Sequence, residues 1–342
     1  MMEDWMASRE AQGFPKLRDA SLQKIEIRGK QLLVEAGVEE EEAALEVRLL
    51  LQESFSLNTA GYLLRKQEPL CKAGIEQTEI LQKLHSFYEN FEKRRRRIPL
   101  AQILGRQSFY GLDFYVNENV LIPRADTECL VDLVLEDYAE LAKQAGKTYA
   151  EKQNSEHVSN KHEDDVEIVG SDSSLRILDL CTGSGCIGIS VAKHLPYQEL
   201  LLVDLSEKAL AVAKKNAEKH LRGNVRLLQS DLLTEVHEKR FSLLLSNPPY
   251  IVSRVIPGLD REVSEYEPKM ALDGGEDGLV FYRRIAKEAK KVLLPGARLY
   301  LEIGYDQGES VKDIFQKEGY EAVEVFPDLA GNPRVVRGIF PS

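Results

Sequence analysis

The stretch LDLCTGSGCIG, Leu178 to Gly188, decides the fold of this chain, because it ends an apolar strand and opens a helix through a glycine-rich turn. Gly183, Gly185 and Gly188 allow a tight turn and a close approach of a ligand to the backbone. The spacing satisfies the pattern G-x-G-x-x-G, which is a weak signal when it stands alone. It predicts a nucleotide-binding unit of strand, turn and helix.

Short apolar runs alternate with helical patterns around and after this turn. The runs are LRILDL, ELLLVDL, NVRLLQS, FSLLLSN, ARLYLEIG, YEAVEVF and RVVRGIF. Near-continuous apolar strands separated by helices are typical of α/β proteins. We therefore expect a doubly wound, mostly parallel, Rossmann-like sheet.

The N-terminal third of the chain has a different pattern. From about Leu22 to Arg97 apolar residues recur at helical spacing, which predicts a small helical domain. The residues on the predicted apolar faces are Ala43, Val47, Leu50, Ile80, Leu84, Phe87 and Phe91. The following stretch, SFYGLDFYVNENVLIPR, alternates aromatic and polar residues. With Asn117 and Asn119 as turn formers, it predicts a β-hairpin between the domains.

A helix is expected over DTECLVDLVLEDYAELAKQ, which opens with capping residues. Its predicted apolar face consists of Leu130, Val134, Tyr138 and Leu141. Residues 146–174 carry no periodicity, and from Glu151 to Ser174 seven acids stand against two lysines. That composition predicts a solvated, mobile insertion.

Composition excludes several classes of protein. Hydrophobic residues make up 43% of the chain and charged residues 30%, as in soluble globular enzymes. The polar N-terminus shows no signal peptide and no apolar run reaches bilayer length, so a cytoplasmic protein without membrane contact is expected. The four cysteines, Cys71, Cys129, Cys181 and Cys186, lack the spacing of a zinc site, so free thiols and no metal are expected.

The balance of charge bears on partners. Lys and Arg number 45 against 56 Asp and Glu, and the net charge of −11 argues against stable binding to nucleic acid. The run KRRRR, Lys93 to Arg97, is a local basic patch that runs against this trend.

Several acids follow the predicted strands and suit a nucleoside cofactor. Asp204 ends the second strand, where a carboxylate can accept both hydroxyls of an adenosine ribose, as in sites for nicotinamide cofactors and for S-adenosylmethionine. Asp179 precedes the glycines and can reach the methionine end of S-adenosylmethionine. Asp231, in SDLL, is placed to meet the adenine amine. Asp179 and Asp231, together with the motif NPPY at the end of the fourth strand, favour S-adenosylmethionine.

The fourth strand ends in SNPPYI, and the motif NPPY suits a planar –NH2 group. Asn247 offers an acceptor oxygen, and Pro248 contributes a carbonyl without an N–H. Two acceptors can hold both hydrogens of an amide or base amine and aim the nitrogen at a methyl donor. Tyr250 can stack on the planar substrate.

Taken together, these motifs resemble those of the release-factor glutamine methyltransferases, the HemK/PrmC family. The resemblance covers about Leu22 to Phe340 outside the insertion. It is carried by PLAQILGRQSFYGLDFYVNENVLIPRADTE, DLCTGSGCIG, SNPPYI, EPKMALDGGEDGLVFYRRI, LEIGYDQ and DLAGNPRVVRG. It implies a helical substrate-recognition domain (residues 1–105), a β-hairpin connector (106–123) and a seven-stranded methyltransferase domain (124–342, with the insertion 146–174). It also implies methylation of the glutamine amide in the Gly-Gly-Gln motif of peptide chain release factors.

The resemblance further implies roles for particular residues. S-adenosylmethionine would lie near Asp179 and against Cys181, Thr182, Gly183, Ser184 and Gly185, with Asp204 on the ribose, Asp231 or Leu232 near adenine, and Asn247 at the methyl group. The glutamine would be held by Asn247, Pro248, Pro249 and Tyr250, with Arg124 and Glu128 at the entrance of the site. This chain departs from the family pattern at Ala125, where proline is usual, at Cys181, where glycine is common, and at Leu232, where an aromatic residue often packs against adenine.

Three other functions fit part of the pattern. A glutamine methyltransferase acting on a ribosomal protein would use the same site. A methyltransferase for adenine or cytosine amines would also use an NPPY-type motif, after extruding the base, but the acidic charge opposes it. An NAD-dependent dehydrogenase would explain G-x-G-x-x-G, yet no hydride-transfer site is evident.

Overall fold

A computed structural model describes residues 9–72, 76–155 and 175–341 of the chain. The helices are α1 (Leu22–Glu35), α2 (Glu40–Phe55), α3 (Thr59–Arg65), α4 (Gln77–Arg95), α5 (Leu100–Leu104), α6 (Glu128–Ser155), α7 (Cys186–His194), α8 (Glu207–His220), α9 (Arg261–Tyr266), α10 (Lys269–Leu272), α11 (Val280–Glu288) and α12 (Gly308–Lys317). The strands are β1 (Arg106–Phe109), β2 (Leu112–Tyr115), β3 (Arg176–Leu180), β4 (Glu199–Asp204), β5 (Val225–Gln229), β6 (Phe241–Ser246), β7 (Leu293–Glu302), β8 (Glu321–Pro327) and β9 (Pro333–Ile339).

The chain divides into two compact units. One consists of Met1–Gly105 with Asp260–Tyr266, and the other of Arg106–Leu259 with Glu267–Ser342. Within the described ranges, no helix combines the length and the apolar character needed to cross a bilayer.

The first unit is a cluster of helices around one apolar core. All seven residues predicted for its apolar faces, from Ala43 to Phe91, are buried, so that part of the sequence analysis is confirmed. Helices α1 and α2 approach closely at Gly29, where an added Cβ would lie 2.9 Å from Val47. Ser21 begins α1 by accepting a hydrogen bond from the backbone N–H of Lys24 (3.3 Å).

The predicted basic patch KRRRR is not an open surface of positive charge. Arg94 is 3% exposed and donates to Glu46 (2.8 Å) and to Glu262 (2.9 Å) in the same unit. Arg97 contacts the other carboxylate oxygen of Glu262 (2.6 Å), and Arg95 contacts Glu92 (3.0 Å). Three of the four arginines therefore serve ion pairs that hold the helical unit together.

The predicted hairpin exists, but its turn lies elsewhere. Strands β1 and β2 pair antiparallel with Phe109 opposite Leu112, so the turn residues are Tyr110 and Gly111, both with positive φ as two-residue hairpins prefer. The prediction of Asn117 and Asn119 as the hairpin turn was wrong. They form a separate turn after β2, where the Asn117 side chain accepts from the N–H of Asn119 (3.0 Å).

All seven predicted strands of the main sheet are present, in the order β5-β4-β3-β6-β7-β9-β8. Strands β3 to β7 run parallel, whereas β9 pairs antiparallel with both β7 and β8. This is the doubly wound, mostly parallel sheet that the sequence predicts. Buried apolar side chains cover both of its faces.

The chain reverses its winding direction between β3 and β6. From β3 it proceeds through β4 and β5 toward one side of the sheet, and from β6 to β7 toward the other. The loops after β3 and β6 therefore diverge from adjacent strand ends and leave a crevice at the carboxyl edge. The Ser246 hydroxyl donates to the carbonyl of Leu180 (2.8 Å) at this point.

The acidic insertion begins as a helix. Helix α6 continues to Ser155, so residues 146–155 are helical where the sequence analysis expected none. The rest of the insertion, residues 156–174, lies outside the described residues, and the prediction of its mobility stays untested.

Asn216 on α8 is fully buried and joins the hairpin to the glycine loop. Its amide donates to the carbonyls of Tyr115 (2.9 Å) and Ser184 (2.8 Å), and its oxygen accepts from the N–H of Tyr115 (2.7 Å). We predict that Asn216→Ala lowers the free energy of unfolding by about 2–4 kcal/mol, because buried backbone groups lose their partners. Urea denaturation measures this change. The exposed Asn224 provides a control, since Asn224→Ala should change stability by less than about 0.5 kcal/mol; equal effects at the two sites would contradict the prediction.

Candidate active site

A cavity of about 330 Å³ opens at the carboxyl edge of the sheet, in the second unit. Its walls are formed by Phe281 and by residues of the segments 119–127, 181–187, 203–209, 230–232, 247–249 and 268–273. Four of these segments follow the parallel strands β3, β4, β5 and β6. The sheet therefore gathers at one cavity the motifs that are far apart in sequence.

The glycine loop between β3 and α7 gives the cavity a bare backbone wall. Gly183 has φ of 54°, and a Cβ added there would meet no atom within 4 Å, so the backbone faces open space. Gly188 is required for packing, because a Cβ added there would lie 2.8 Å from a carboxylate oxygen of Asp179. It lets α7 approach β3 closely, as the third glycine of this pattern does in nucleotide-binding folds.

Two non-glycine residues at the cavity have left-handed backbone conformations. Cys181 has φ of 54° and Leu232 has φ of 52°. A residue with a Cβ in this region is strained by roughly 1–3 kcal/mol. Glycine would adopt the conformation of Cys181 without this strain.

Asp204 lines the cavity at the end of β4 with a carboxylate held in a fixed orientation. One oxygen accepts from the N–H of Gly183 (2.9 Å) and the other from the N–H of Ser206 (2.9 Å). Burial raises the pKa of Asp204, while these backbone donors lower it. Each oxygen keeps a lone pair, so the carboxylate can still accept from a pair of hydroxyls.

Asp179 lies behind the glycine loop and is 1% exposed. Its Oδ2 accepts from the hydroxyl of Thr182 (2.6 Å) and the N–H of Gly188 (3.1 Å), whereas Oδ1 has no hydrogen-bond partner among the described residues. Burial raises the pKa of Asp179 to about 7, against the lowering effect of its two donors. The carboxylate is therefore an unsatisfied acceptor next to the loop.

The wall after β5 combines an ion pair with apolar groups. Asp231 is exposed and accepts from Arg284 of α11 (2.7 Å), while Leu232 is buried. Phe281 lies three residues before Arg284 on the same helix and also lines the cavity. It supplies to the wall an aromatic ring, which Leu232 lacks.

In the NPPY motif, Asn247 and Pro249 line the cavity and Pro248 is buried. Tyr250 points its hydroxyl at Glu302 (3.3 Å) and packs against the apolar core. Burial raises the pKa of Tyr250, as does the carboxylate of Glu302. The tyrosine ring is part of the support of the loop and is not among the groups lining the cavity.

Of the two predicted site residues in the segment IPRADTE, Arg124 lines the cavity and Glu128 does not. Arg124 lines the cavity and contacts Glu267 (2.6 Å), whose side chain is 1% exposed. Burial raises the pKa of Glu267, and Arg124 lowers it. Glu128 does not line the cavity, because its carboxylate accepts from the N–H of Tyr110 (2.7 Å) in the hairpin turn.

The cavity thus brings together most of the site residues that the sequence analysis singled out. Those lining it are Arg124, Cys181, Thr182, Gly183, Ser184, Asp204, Asp231, Leu232, Asn247 and Pro249. Those that do not line it are Glu128, Asp179, Gly185, Pro248 and Tyr250. The cavity is also lined by Thr127, Met270 and Phe281, which the sequence analysis did not single out. They lie within the motifs that carry the resemblance, but their side chains have no chemistry that marks them as site residues.

These groups fit S-adenosylmethionine. Asp204 offers acceptors for a ribose diol, and Phe281 and Leu232 offer an apolar wall for a flat ring. Asp179 does not line the cavity, but its unsatisfied Oδ1 is a buried acceptor behind the glycine-loop wall.

Comparison with known proteins points to the same class. The Methyltransferase small domain family matches residues 166–264. A release factor glutamine methyltransferase of Geobacter sulfurreducens is 36% identical over 306 residues, covering 90% of this chain and 92% of that protein. Another, from Clostridium acetobutylicum, is 38% identical over 259 residues, covering 75% of this chain and 80% of that protein.

Some relatives are much longer. A bifunctional methyltransferase of Rickettsia bellii is 35% identical over 318 residues, which cover 92% of this chain but 54% of that protein. The chain spans about half the length of these bifunctional relatives.

The raised pKa of Asp179 gives a prediction about stability. Its folded pKa of about 7 lies above the ordinary value, so its favourable contribution is fully present below about pH 4 and is lost as pH rises through about 7. Relative to the wild type, Asp179→Asn should therefore gain a few kcal/mol of unfolding free energy as pH rises from about 4 to about 8. Urea denaturation of both proteins across this range measures the difference. A difference independent of pH would contradict the prediction.

Proposed function

We propose, because this chain belongs to the family of release factor glutamine methyltransferases, that it transfers a methyl group from S-adenosylmethionine to the side-chain amide nitrogen of a glutamine in peptide chain release factors. The observation that carries the proposal is the shared cavity of the glycine loop, Asp204 and Asn247. A nucleoside site and an amide-binding motif at one cavity suit methyl transfer to a planar –NH2 group.

We propose that Asn247 and Pro248 provide the catalytic help by orientation. An amide nitrogen is a weak nucleophile because its lone pair is delocalised into the carbonyl group, while S-adenosylmethionine supplies an electrophilic methyl group when bound. The Asn247 oxygen and the Pro248 carbonyl would accept the two amide hydrogens and turn the nitrogen's out-of-plane density toward that methyl group. The nitrogen would bond to the methyl carbon as the carbon–sulfur bond breaks, the donor would leave as S-adenosylhomocysteine, and one amide proton would pass to solvent.

The cofactor assignments are proposals of the same kind. Asp204 would accept from the ribose hydroxyls, and the segment 181–185 would lie along the methionine moiety with Asp179 behind it. Asp231 and Leu232 would border adenine, with Phe281 as a further wall. Stacking of Tyr250 on the substrate, and roles for Pro249, Arg124 and Glu128 toward it, stay predictions.

A protruding glutamine suits this site better than a nucleic-acid base. The Gly-Gly-Gln loop of a release factor can enter a strand-end cavity without unstacking any base, whereas a duplex base must first be extruded. The net charge of −11 opposes a polyanion, and the ion pairs of Arg94, Arg95 and Arg97 remove the basic run that favoured one. We expect the protein to act in the cytoplasm, alongside translation.

Mass analysis of release factor peptides tests the proposal. After incubation with this protein and S-adenosylmethionine, we predict one added methyl group on the glutamine of Gly-Gly-Gln. A release factor with that glutamine replaced should gain none, and naked DNA and RNA should stay unmodified. Methylation of a ribosomal-protein glutamine alone would move the assignment to that rival, and a methylated base would reject amide chemistry.

A further inference from the structure

The segment LEIGYDQ, Leu301 to Gln307, ends β7 and continues into the loop before α12, and none of its residues lines the cavity. Strands β6 and β7 are parallel neighbours in which Ser246 pairs with Leu301. The next residues along the two strands, Asn247 and Glu302, therefore lie side by side at the carboxyl edge. A buried glutamate next to the asparagine of NPPY needs an explanation.

Glu302 is 2% exposed and faces the NPPY motif. Its Oε1 lies 3.3 Å from the hydroxyl of Tyr250. Burial raises the pKa of Glu302, and the Thr127 hydroxyl, Arg334, the Tyr250 hydroxyl and the Asn247 amide each lower it. Its Oε2 has no hydrogen-bond partner among the described residues, so the carboxylate keeps a free acceptor beside the NPPY segment.

The chemistry of a side-chain amide explains why an acceptor is useful beside Asn247. An asparagine presents an acceptor oxygen on one side and two donor hydrogens on the other, and the two ends differ little in size. The oxygen can face an incoming –NH2 group only if the amide's own –NH2 faces an acceptor of the protein. An ionised carboxylate accepts and does not donate, so it selects this orientation and rejects the flipped one.

Gln307 directly precedes α12 and holds the backbone of the loop at Tyr250. It is 8% exposed, and its Nε2 donates to the carbonyls of Tyr250 (3.0 Å) and Gly278 (3.3 Å). Its Oε1 accepts from the N–H of Gly304 (2.9 Å). Gly278 has φ of 72°, and a Cβ there would collide with the Tyr250 carbonyl, so the contact depends on a glycine.

We propose that Glu302 and Gln307 are positioning residues for methyl transfer: Glu302 fixes the orientation of the Asn247 amide and the Tyr250 hydroxyl, and Gln307 fixes the backbone at Tyr250. This inference rests on the proposed function for its kinetic consequence, whereas the orientation of Asn247 does not depend on which substrate is used. Neither residue lines the cavity.

Steady-state kinetics on a release factor gives the first test. Glu302→Gln should lower kcat on the order of 10- to 100-fold, because the amide can flip, while the Kd for S-adenosylhomocysteine stays within about 2-fold. Gln307→Glu, which replaces the donor end of the side chain by an acceptor, should also lower kcat.

The matched control is Glu199→Gln. Glu199 is equally buried on β4 but begins the strand at the opposite edge and contacts Arg226 and Arg240, so its loss should lower stability and leave kcat unchanged.

A second measurement separates this proposal from the proposed function. The side-chain –NH2 signals of Asn247, assigned by their loss in Asn247→Ala, should shift in the NMR spectrum of Glu302→Gln and not in that of Glu199→Gln. If the wild type methylates no release factor, the proposed function fails and these signals still decide the role of Glu302. Unshifted signals, or wild-type kcat in folded Glu302→Gln, would overturn the proposal.

Discussion

The pairing of β3 with β6 is the constraint on which the site depends. Both strands run in the same direction, and the chain leaves them toward opposite sides of the sheet. The loops that follow the two strands therefore diverge and leave a crevice between the strand ends. The hydrogen bond from Ser246 to the Leu180 carbonyl joins the two strand ends at this point. The glycine loop leaves from one end and NPPY from the other. The proposed nucleoside site and the proposed amide-binding motif become neighbours for this reason.

Strained backbone conformations and buried carboxylates, both of which lower stability, lie at the same edge of the sheet. Cys181 and Leu232 have left-handed backbone conformations, and the carboxylates of Asp179, Glu267 and Glu302 are buried. Burial raises the pKa of each of these three acids. Strain and buried charge concentrate where a ligand or a mobile amide needs a fixed partner. The apolar clusters on both faces of the sheet provide the stability against which these features are maintained.

Periodicity predicted the elements well, because burial on both faces of a parallel sheet leaves continuous apolar runs. It did not locate the hairpin turn, since no short-range signal in Tyr110-Gly111 is as strong as the asparagines that follow. The turn is held by tertiary contacts: the carboxylate of Glu128 accepts from the Tyr110 N–H, and the Tyr110 hydroxyl donates to Asp132 (2.7 Å). The ion pairs of the basic run KRRRR likewise depend on tertiary structure, because Glu262, a partner of Arg94, lies far away in sequence.

For the site, motifs predicted most of the named residues that line the cavity, whereas spacing alone did not separate groups on the cavity wall from those that support it. Asp179 and Tyr250 support the loops from behind, and Phe281 reaches the wall from helix α11. Such positions depend on side-chain direction in the folded sheet, which a one-dimensional pattern does not contain.

Separating binding from chemistry at Asn247 tests the central claim most directly. In Asn247→Ala, calorimetry should find a Kd for S-adenosylhomocysteine within about 3-fold of the wild type, while methyl transfer in single turnovers falls on the order of 10²-fold or more, because the nucleophile is no longer aligned. Wild-type transfer in the folded variant would contradict the account, and show that NPPY is a turn after a buried strand.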